Sequence, residues 1–297
     1  MTWLDPMPLP ADLGKAYTTY YTHTSHAKPV SGVKEKKSKF SIQGEYWAKQ
    51  YGYPFPRAGF LIRAASWLYY LWPISRWEAD AGIRCLRAVP NGRLLDVGCG
   101  SGDWLLTMRE FGWQVAGNDF DRQAVHAAGE KGLQVNLGSL EDQHLPDNSF
   151  DAITLHHVIE HLPDPIQTLK ECFRILRPGG KLILFTPNCE SLSHSLFKSD
   201  WRGLEPPRHL HIFSLGSMAQ LLLKAGFKDQ SVRPFIVTSV IYDSLQLRWS
   251  RTGFTKKRSY HWLGWGCARI FKLVELLMIR FNPKVGDCLI ATAVKPQ

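Results

Sequence analysis

The chain has 297 residues, 44% of them hydrophobic and 21% charged, with a formal net charge of +10. That composition excludes a disordered chain and suits one large domain, or one domain with an appendage. Six cysteines (85, 99, 172, 189, 267 and 288) are never spaced as C-x-x-C, which argues against a disulfide framework or a cysteine-based zinc site and for a reducing cytoplasm. The start, "MTWLDPMPLPADLG", lacks the basic and apolar regions of a signal peptide, so a cytoplasmic location is expected.

Residues 1–50 are polar and include the charge run "KEKKSK", which predicts a loosely ordered start. "GFLIRAASWLYYLW" from 58 predicts a helix ending near Pro73, and a second helix is expected at about 75–88. From 93 strands and helices alternate. "RLLDVG", "WQVAGND", "LQVNLGS", "FDAITLHH" and "KLILFT" read as strands, with glycine-ended helices after the first two. "PIQTLKECFRIL" reads as a helix with Asp164 as N-cap and Pro165 at its first position. Ser214 is expected to cap "LGSMAQLLLKAGF", and "QSVRPFIVTSV" and "DCLIATAVK" read as two last strands. Units of this length imply a doubly wound parallel sheet that places ligands at the carboxyl ends of its strands.

The sharpest motif is "LLDVGCGSGDW", where Gly98, Gly100 and Gly102 follow a strand and open a helix. Its G-x-G-x-G spacing departs from the dinucleotide pattern, and Asp96 and Asp103 would repel a pyrophosphate. Both acids suit a ligand with a positive ammonium or sulfonium. Asp119, at the end of the second strand, suits two ribose hydroxyls, and Phe120 beside it can face a purine.

These stretches resemble class I S-adenosylmethionine-dependent methyltransferases. "LLDVGCGSG", "VAGNDFD", "LEDQHLPDNSFDAITLHHVIEHLPDP" and "RILRPGGKLILFTPN" occur in that family's order and spacing. The resemblance, over about 86–227 with the last strand, implies a Rossmann-like α/β fold of seven strands with the last antiparallel; the expected organisation is an N-terminal helical extension over 1–85 and a methyltransferase domain over 86–297. S-adenosyl-L-methionine is the implied cofactor. Carried over by motif, Asp96, Gly98, Gly100 and Gly102 line its methionine end and Asp119 holds its ribose. Where relatives often carry an acid for the adenine amino group, this chain has Ser139, followed by Leu140.

"HHVIEHLPDP" contains H-x-x-E-H, an inverted zinc-peptidase signature that requires a continuous helix. A strand runs into it and Pro163 and Pro165 follow, so no metal is assigned. Past the fourth strand of a methyltransferase the cluster would face the methyl group. A neutral imidazole can take a proton from a hydroxyl nucleophile. His157 and His161 are therefore the catalytic candidates, with His156 third and placed near the cofactor. A structural part for Glu160 and His161 in shaping the loop is the alternative.

On the acceptor side, "DWRGLEPPRHLHIFS" offers Trp201 as a platform, Arg208 as an anion partner and His209 as a polar group. The "YYTH" near the start is similar to methyltransferases associated with glycan assembly, which adds Tyr21 and His23. A basic, aromatic segment at about 241–283 holds eight Lys/Arg against two acids before the last strand. It is long enough for its own helix and suits an interfacial membrane helix at the inner face, a cap on the sheet or a homodimer contact. No nucleic-acid motif accompanies the charge. The expected function is O-methylation of a small-molecule or glycan acceptor, a sugar hydroxyl above all. The alternatives are a quinone-like or phenolic acceptor and a non-catalytic recruitment module.

Overall fold

The computed structural model describes residues 1–8, 12, 42–55, 59–71, 73–251, 261–282 and 284–297. Tyr21 and His23 lie outside the described residues. Nine strands are defined among those described: β1 (Thr2–Trp3), β2 (Arg93–Val97), β3 (Gln114–Asp119), β4 (Val135–Leu137), β5 (Phe150–His156), β6 (Leu176–Pro187), β7 (His211–Ile212), β8 (Asp229–Phe235) and β9 (Cys288–Val294). Seven form one sheet in the order β4-β3-β2-β5-β6-β9-β8, and β1 pairs with β7. β2 and β3 run parallel, with Asp96 opposite Gly117, whereas β8 and β9 run antiparallel. The predicted Rossmann-like architecture with an antiparallel last strand is therefore present.

Two compact units make up the chain. One comprises Thr19–Thr154 and Arg174–Ile183, with Gln297; the other comprises Met1–Thr18, Leu155–Phe173 and Leu184–Pro296. In the first unit the end of the polar N-terminal stretch, residues 42–51, is helical. Helix α1 (Ile42–Tyr51) buries Tyr46 and Trp47. The Tyr46 hydroxyl donates to Asp80 at 2.7 Å and the Trp47 indole to the Ala79 carbonyl at 2.9 Å. Aromatic burial fixes this helix, a tertiary effect that the neighbouring charge run conceals. The single helix expected from 58 is instead two short pieces, α2 (Phe60–Ala65) and α3 (Leu68–Leu71). Ser66 sits between them and its hydroxyl donates back to the Arg63 carbonyl at 2.7 Å, a side-chain bond that competes with helix propagation. Helix α4 (Pro73–Gly82) stops short of the expected 88. Arg84 and Cys85, just beyond it, have φ of 50° and 54° and cannot continue a right-handed helix. Helices α5 (Asp103–Glu110) and α6 (Arg122–Glu130) follow β2 and β3.

In the second unit, α7 (Pro165–Ile175) has the expected cap, with Asp164 accepting from the backbone N–H groups of Ile166 and Gln167. Helix α8 (Leu192–Phe197) follows β6, and α9 (Leu215–Lys224) starts in a Ser214–Ser217 capping box. The segment before β9 contributes two helices, α10 (Thr238–Arg251) and α11 (His261–Ile279). Ile241 and Ala268 pack with Phe197, Trp201 and Ile212, and Tyr242 stacks on Trp265 at 4.6 Å.

Helix α11 is turned inside out. Its buried face holds Lys272 at 1% exposure and Glu275 at 0%, while Ile270, Leu273, Val274 and Leu277 face solvent at 64%, 47%, 44% and 66%. Glu275 lies near the buried Asp287, which accepts from the Ser193 hydroxyl. Burial and the Asp287 charge push Glu275 up to about 10.

Candidate functional site

The glycine loop between β2 and α5 is built on a buried ion pair. Asp96 has no exposed surface, and one of its oxygens accepts from both Arg84 and the Thr154 hydroxyl, the latter at 2.8 Å. Arg84 lies 3.7 Å over the Trp104 ring and donates to Thr154 at 3.0 Å. Burial raises the Asp96 pKa against the opposing pull of Arg84 and Thr154. A carboxylate enclosed in this way braces the end of β2. Its second oxygen is buried and has no hydrogen-bond partner among the described residues. Asp103 is matched by Lys131 at 2.6 Å.

Two of the glycines answer to different constraints. Gly100 has φ +55°, and a Cβ added there would meet nothing within 4 Å among the described residues. At Gly102, φ +75°, a Cβ would come within 2.3 Å of Leu133 Cδ1, so packing of α5 requires that glycine. Gly98 has φ +69° and its N–H donates to the Asn118 carbonyl at 2.8 Å. Asp119 closes the loop: Oδ2 accepts from Gly100 N–H at 2.7 Å and Oδ1 from Asp121 N–H at 2.9 Å. Each oxygen keeps a second lone pair for a ligand donor. Burial raises the Asp119 pKa while the two backbone donors oppose it. Phe120 beside it is 66% exposed, an aromatic face held in solvent. Ser139 donates to Asp142 at 2.6 Å, and Leu140 is 2% exposed and belongs to the core.

In the other unit the histidine cluster follows β5 through a single 3-10 turn, Ile159–His161. His157 has φ +56° and its Nδ1 lies 3.0 Å from Glu160 Oε1. Glu160 is fully buried, and its other oxygen accepts from Thr186 at 3.0 Å. Burial alone would raise Glu160, but the hydrogen bond and charge of His157, with His161 and His209, bring it down to about 2. His161 donates from Nδ1 to the Arg208 carbonyl at 3.0 Å, and His209 from Nδ1 to the Gly203 carbonyl at 2.7 Å. Their rings meet edge to face at 4.7 Å. His156 packs against Phe185 and edge-on to His157.

The acceptor-side expectations fare differently. Trp201 is 1% exposed, stacked on His194 and packed against Ile241 and Ala268, so it is core and not an open platform. Its partners come from α10 and α11, distant in sequence. Arg208 is paired with Glu205 at 2.9 Å, as is Arg202, and His209 is buried. The residues that sequence reasoning missed are Arg84, Thr186 and Glu205. Arg84 stands outside the quoted motifs, and Thr186 and Glu205 lie inside two of them without any sign of their partners; each is found by asking what meets Asp96, Glu160 or the Arg202 and Arg208 guanidiniums.

A family model described as a methyltransferase domain matches residues 76–232, more than half of the chain. A ubiquinone biosynthesis O-methyltransferase of Xanthomonas oryzae pv. oryzae is 40% identical over 133 residues, covering 38% of this chain and 56% of the relative. A demethylmenaquinone methyltransferase of Listeria monocytogenes is 33% identical over 117 residues, covering 36% and 49%. The chain thus spans about half the length of the curated relatives it matches. Among solved structures, an S-adenosylmethionine-dependent methyltransferase from Mesorhizobium loti aligns over 73% of this chain and 97% of its own, with TM-score 0.50 and 20% identity, a likeness of fold alone. With the glycine loop, the seven-stranded order and the matching family model together, the chain belongs to the methyltransferase domain family as a class I S-adenosylmethionine-dependent methyltransferase.

Proposed function

We propose that the chain methylates a hydroxyl oxygen, with His157 as general base and Glu160 as the group that orients it. The His157–Glu160 bond carries this reading. A buried carboxylate on Nδ1 keeps the proton there and the basic lone pair on Nε2, the arrangement expected of a base with its orienting partner.

S-adenosylmethionine supplies a methyl carbon on positive sulfur, and the C–O bond that forms as the C–S bond breaks discharges that sulfur. The residues present fit the cofactor. Asp119 retains one lone pair per oxygen for the two ribose hydroxyls, Gly100 leaves room beside it, and Phe120 offers a face for the purine. Ser139, bonded to Asp142, stands where the adenine amino group would be met. His157 takes the acceptor's proton as the oxygen begins to bond. Replacing His157 by Gln is expected to lower kcat by about 100-fold or more while cofactor affinity stays within about 2-fold. Equal loss of cofactor binding would assign His157 to the fold instead.

The acceptor we favour is a sugar hydroxyl on a lipid-linked glycan precursor. Its support is the apolar outer face of α11, flanked by the exposed Arg269 and Arg280 and preceded in sequence by Lys256, Lys257 and Arg258. Cations beside an apolar stripe complement an anionic bilayer surface. No helix among the described residues is long and apolar enough to cross a membrane, so contact would be peripheral. Flotation with vesicles containing phosphatidylglycerol should retain the protein, and Leu273→Glu with Leu277→Glu should abolish retention. Concentration-dependent dimerisation lost in the same variant, without vesicle binding, would give the face to a second copy. The quinone-like alternative rests on the names of the relatives. Incubation with methyl-labelled cofactor and fractionated extract separates the two, by label in glycolipid or in quinone.

A further inference from the structure

We propose that Glu160, His161 and His209 form a two-histidine, one-carboxylate site for a divalent transition cation, with open positions for the acceptor oxygen. This deepens the proposed function and rests on it, because Glu160 is also the carboxylate that orients His157.

The atoms these three residues can offer a metal lie within 4.8 Å of one another. Glu160 is fully buried and His209 is 7% exposed, whereas solvated acidic clusters lie at the surface. Ligands about 2.0–2.2 Å from one ion stand about 3.3 Å apart, so closure requires shifts of about 1 Å, within the reach of side-chain torsions. The second observation is the fixed tautomer. Both histidines donate Nδ1–H to a backbone carbonyl, Arg208 for His161 and Gly203 for His209, which makes Nε2 the basic atom of each neutral ring. An N–H bonded to a carbonyl on the far side of the ring is the usual companion of a metal-ligating histidine. Glu160 is held in turn by His157 and Thr186, so the carboxylate has its own outer contacts. Glu205 stands close by, its Oε2 3.7 Å from His209 Nε2, and its charge is shared with Arg202 and Arg208.

Two imidazoles with one carboxylate suit zinc and its divalent neighbours better than magnesium or calcium. Three protein ligands leave room for an acceptor hydroxyl, whose proton such an ion makes easier to remove. The proton passes to His157, which shares Glu160 with the ion, and the oxygen is left ready to bond the methyl carbon.

Calorimetry of the chelator-stripped full-length protein with zinc chloride should show one ion per chain, with Kd of about 1 µM or tighter. His161→Ala and His209→Ala should each weaken binding by about 100-fold or more, and cobalt(II) substitution should give visible absorption bands that both variants lose. His157→Gln should keep stoichiometry and bands, because it is not a ligand. Absence of stoichiometric zinc in the wild-type chain overturns the site, as does unchanged affinity in both alanine variants; the wild-type titration decides alone should either variant fail to fold. The binding measurement needs no acceptor, so the two proposals fail separately. Missing metal with turnover still sensitive to His157 removes only the ion, and bound metal with turnover indifferent to His157→Gln removes only the base.

Discussion

Asp119→Ala is expected to lower S-adenosylmethionine affinity by about 100-fold or more, measured by calorimetry on the folded variant. The carboxylate already accepts from the Gly100 and Asp121 backbones, and those bonds aim its remaining lone pairs away from the loop. Two hydroxyl donors to an ionised acceptor contribute about 1.5 kcal/mol or more each, and about 3 kcal/mol corresponds to about 100-fold. The variant also frees the Gly100 N–H, so part of the loss would come from a loop that no longer holds its shape. Asp119→Asn separates the two effects. The amide oxygen can keep one backbone bond, but its NH2 cannot accept, so an intermediate loss of about 10-fold is expected. Equal affinity in wild type and Asp119→Ala would remove the ribose assignment and with it the cofactor orientation.

Much of this site is written locally in the sequence. A strand, a glycine turn and a helix follow one another within 94–110, and Asp119 ends the next strand, so spacing alone aligns them. The caps at Asp164 and Ser214 were legible for the same reason, since a cap and the N–H groups it satisfies lie within three residues. What escaped depends on long-range contact. Trp201 looks like an exposed platform until α10 and α11, some 40 to 67 residues later, bury it. Helix α11 has the composition of an amphipathic segment, but period alone cannot tell which face turns inward. Here Lys272 and Glu275 turn inward, near each other and the buried Asp287. The histidine cluster falls between these cases. Its H-x-x-E-H spacing was visible, yet the side chain whose ligand atoms group with those of Glu160 and His161 is His209, from a loop 48 positions on, while His157 bonds Glu160 from the side.

Arg84→Ala is expected to cost about 3–5 kcal/mol of stability, read from the midpoint of urea unfolding, the largest single effect predicted outside the cofactor contacts. Asp96 sits at 0% exposure, with one oxygen on Arg84 and Thr154 and the other without a partner among the described residues, so removing the guanidinium leaves a buried charge with only a hydroxyl of those residues to meet it. Thr154 cannot supply a positive charge, and the Trp104 ring over which Arg84 lies would face a cavity. The protein's remaining response is to protonate Asp96, the direction in which burial already pushes it. The test of cause is the double variant. If the cost arises from an unpaired charge, Arg84→Met with Asp96→Leu should recover most of the stability that Arg84→Ala loses, because both charges leave together. If instead Arg84 acts through packing on Trp104, Arg84→Met alone should recover it. The double variant also isolates the loop's function. Should it fold as stably as wild type yet bind S-adenosylmethionine more weakly, Asp96 contributes to the site by holding the end of β2 in position for Gly98 and Gly100, an effect transmitted through backbone and not through contact with the ligand.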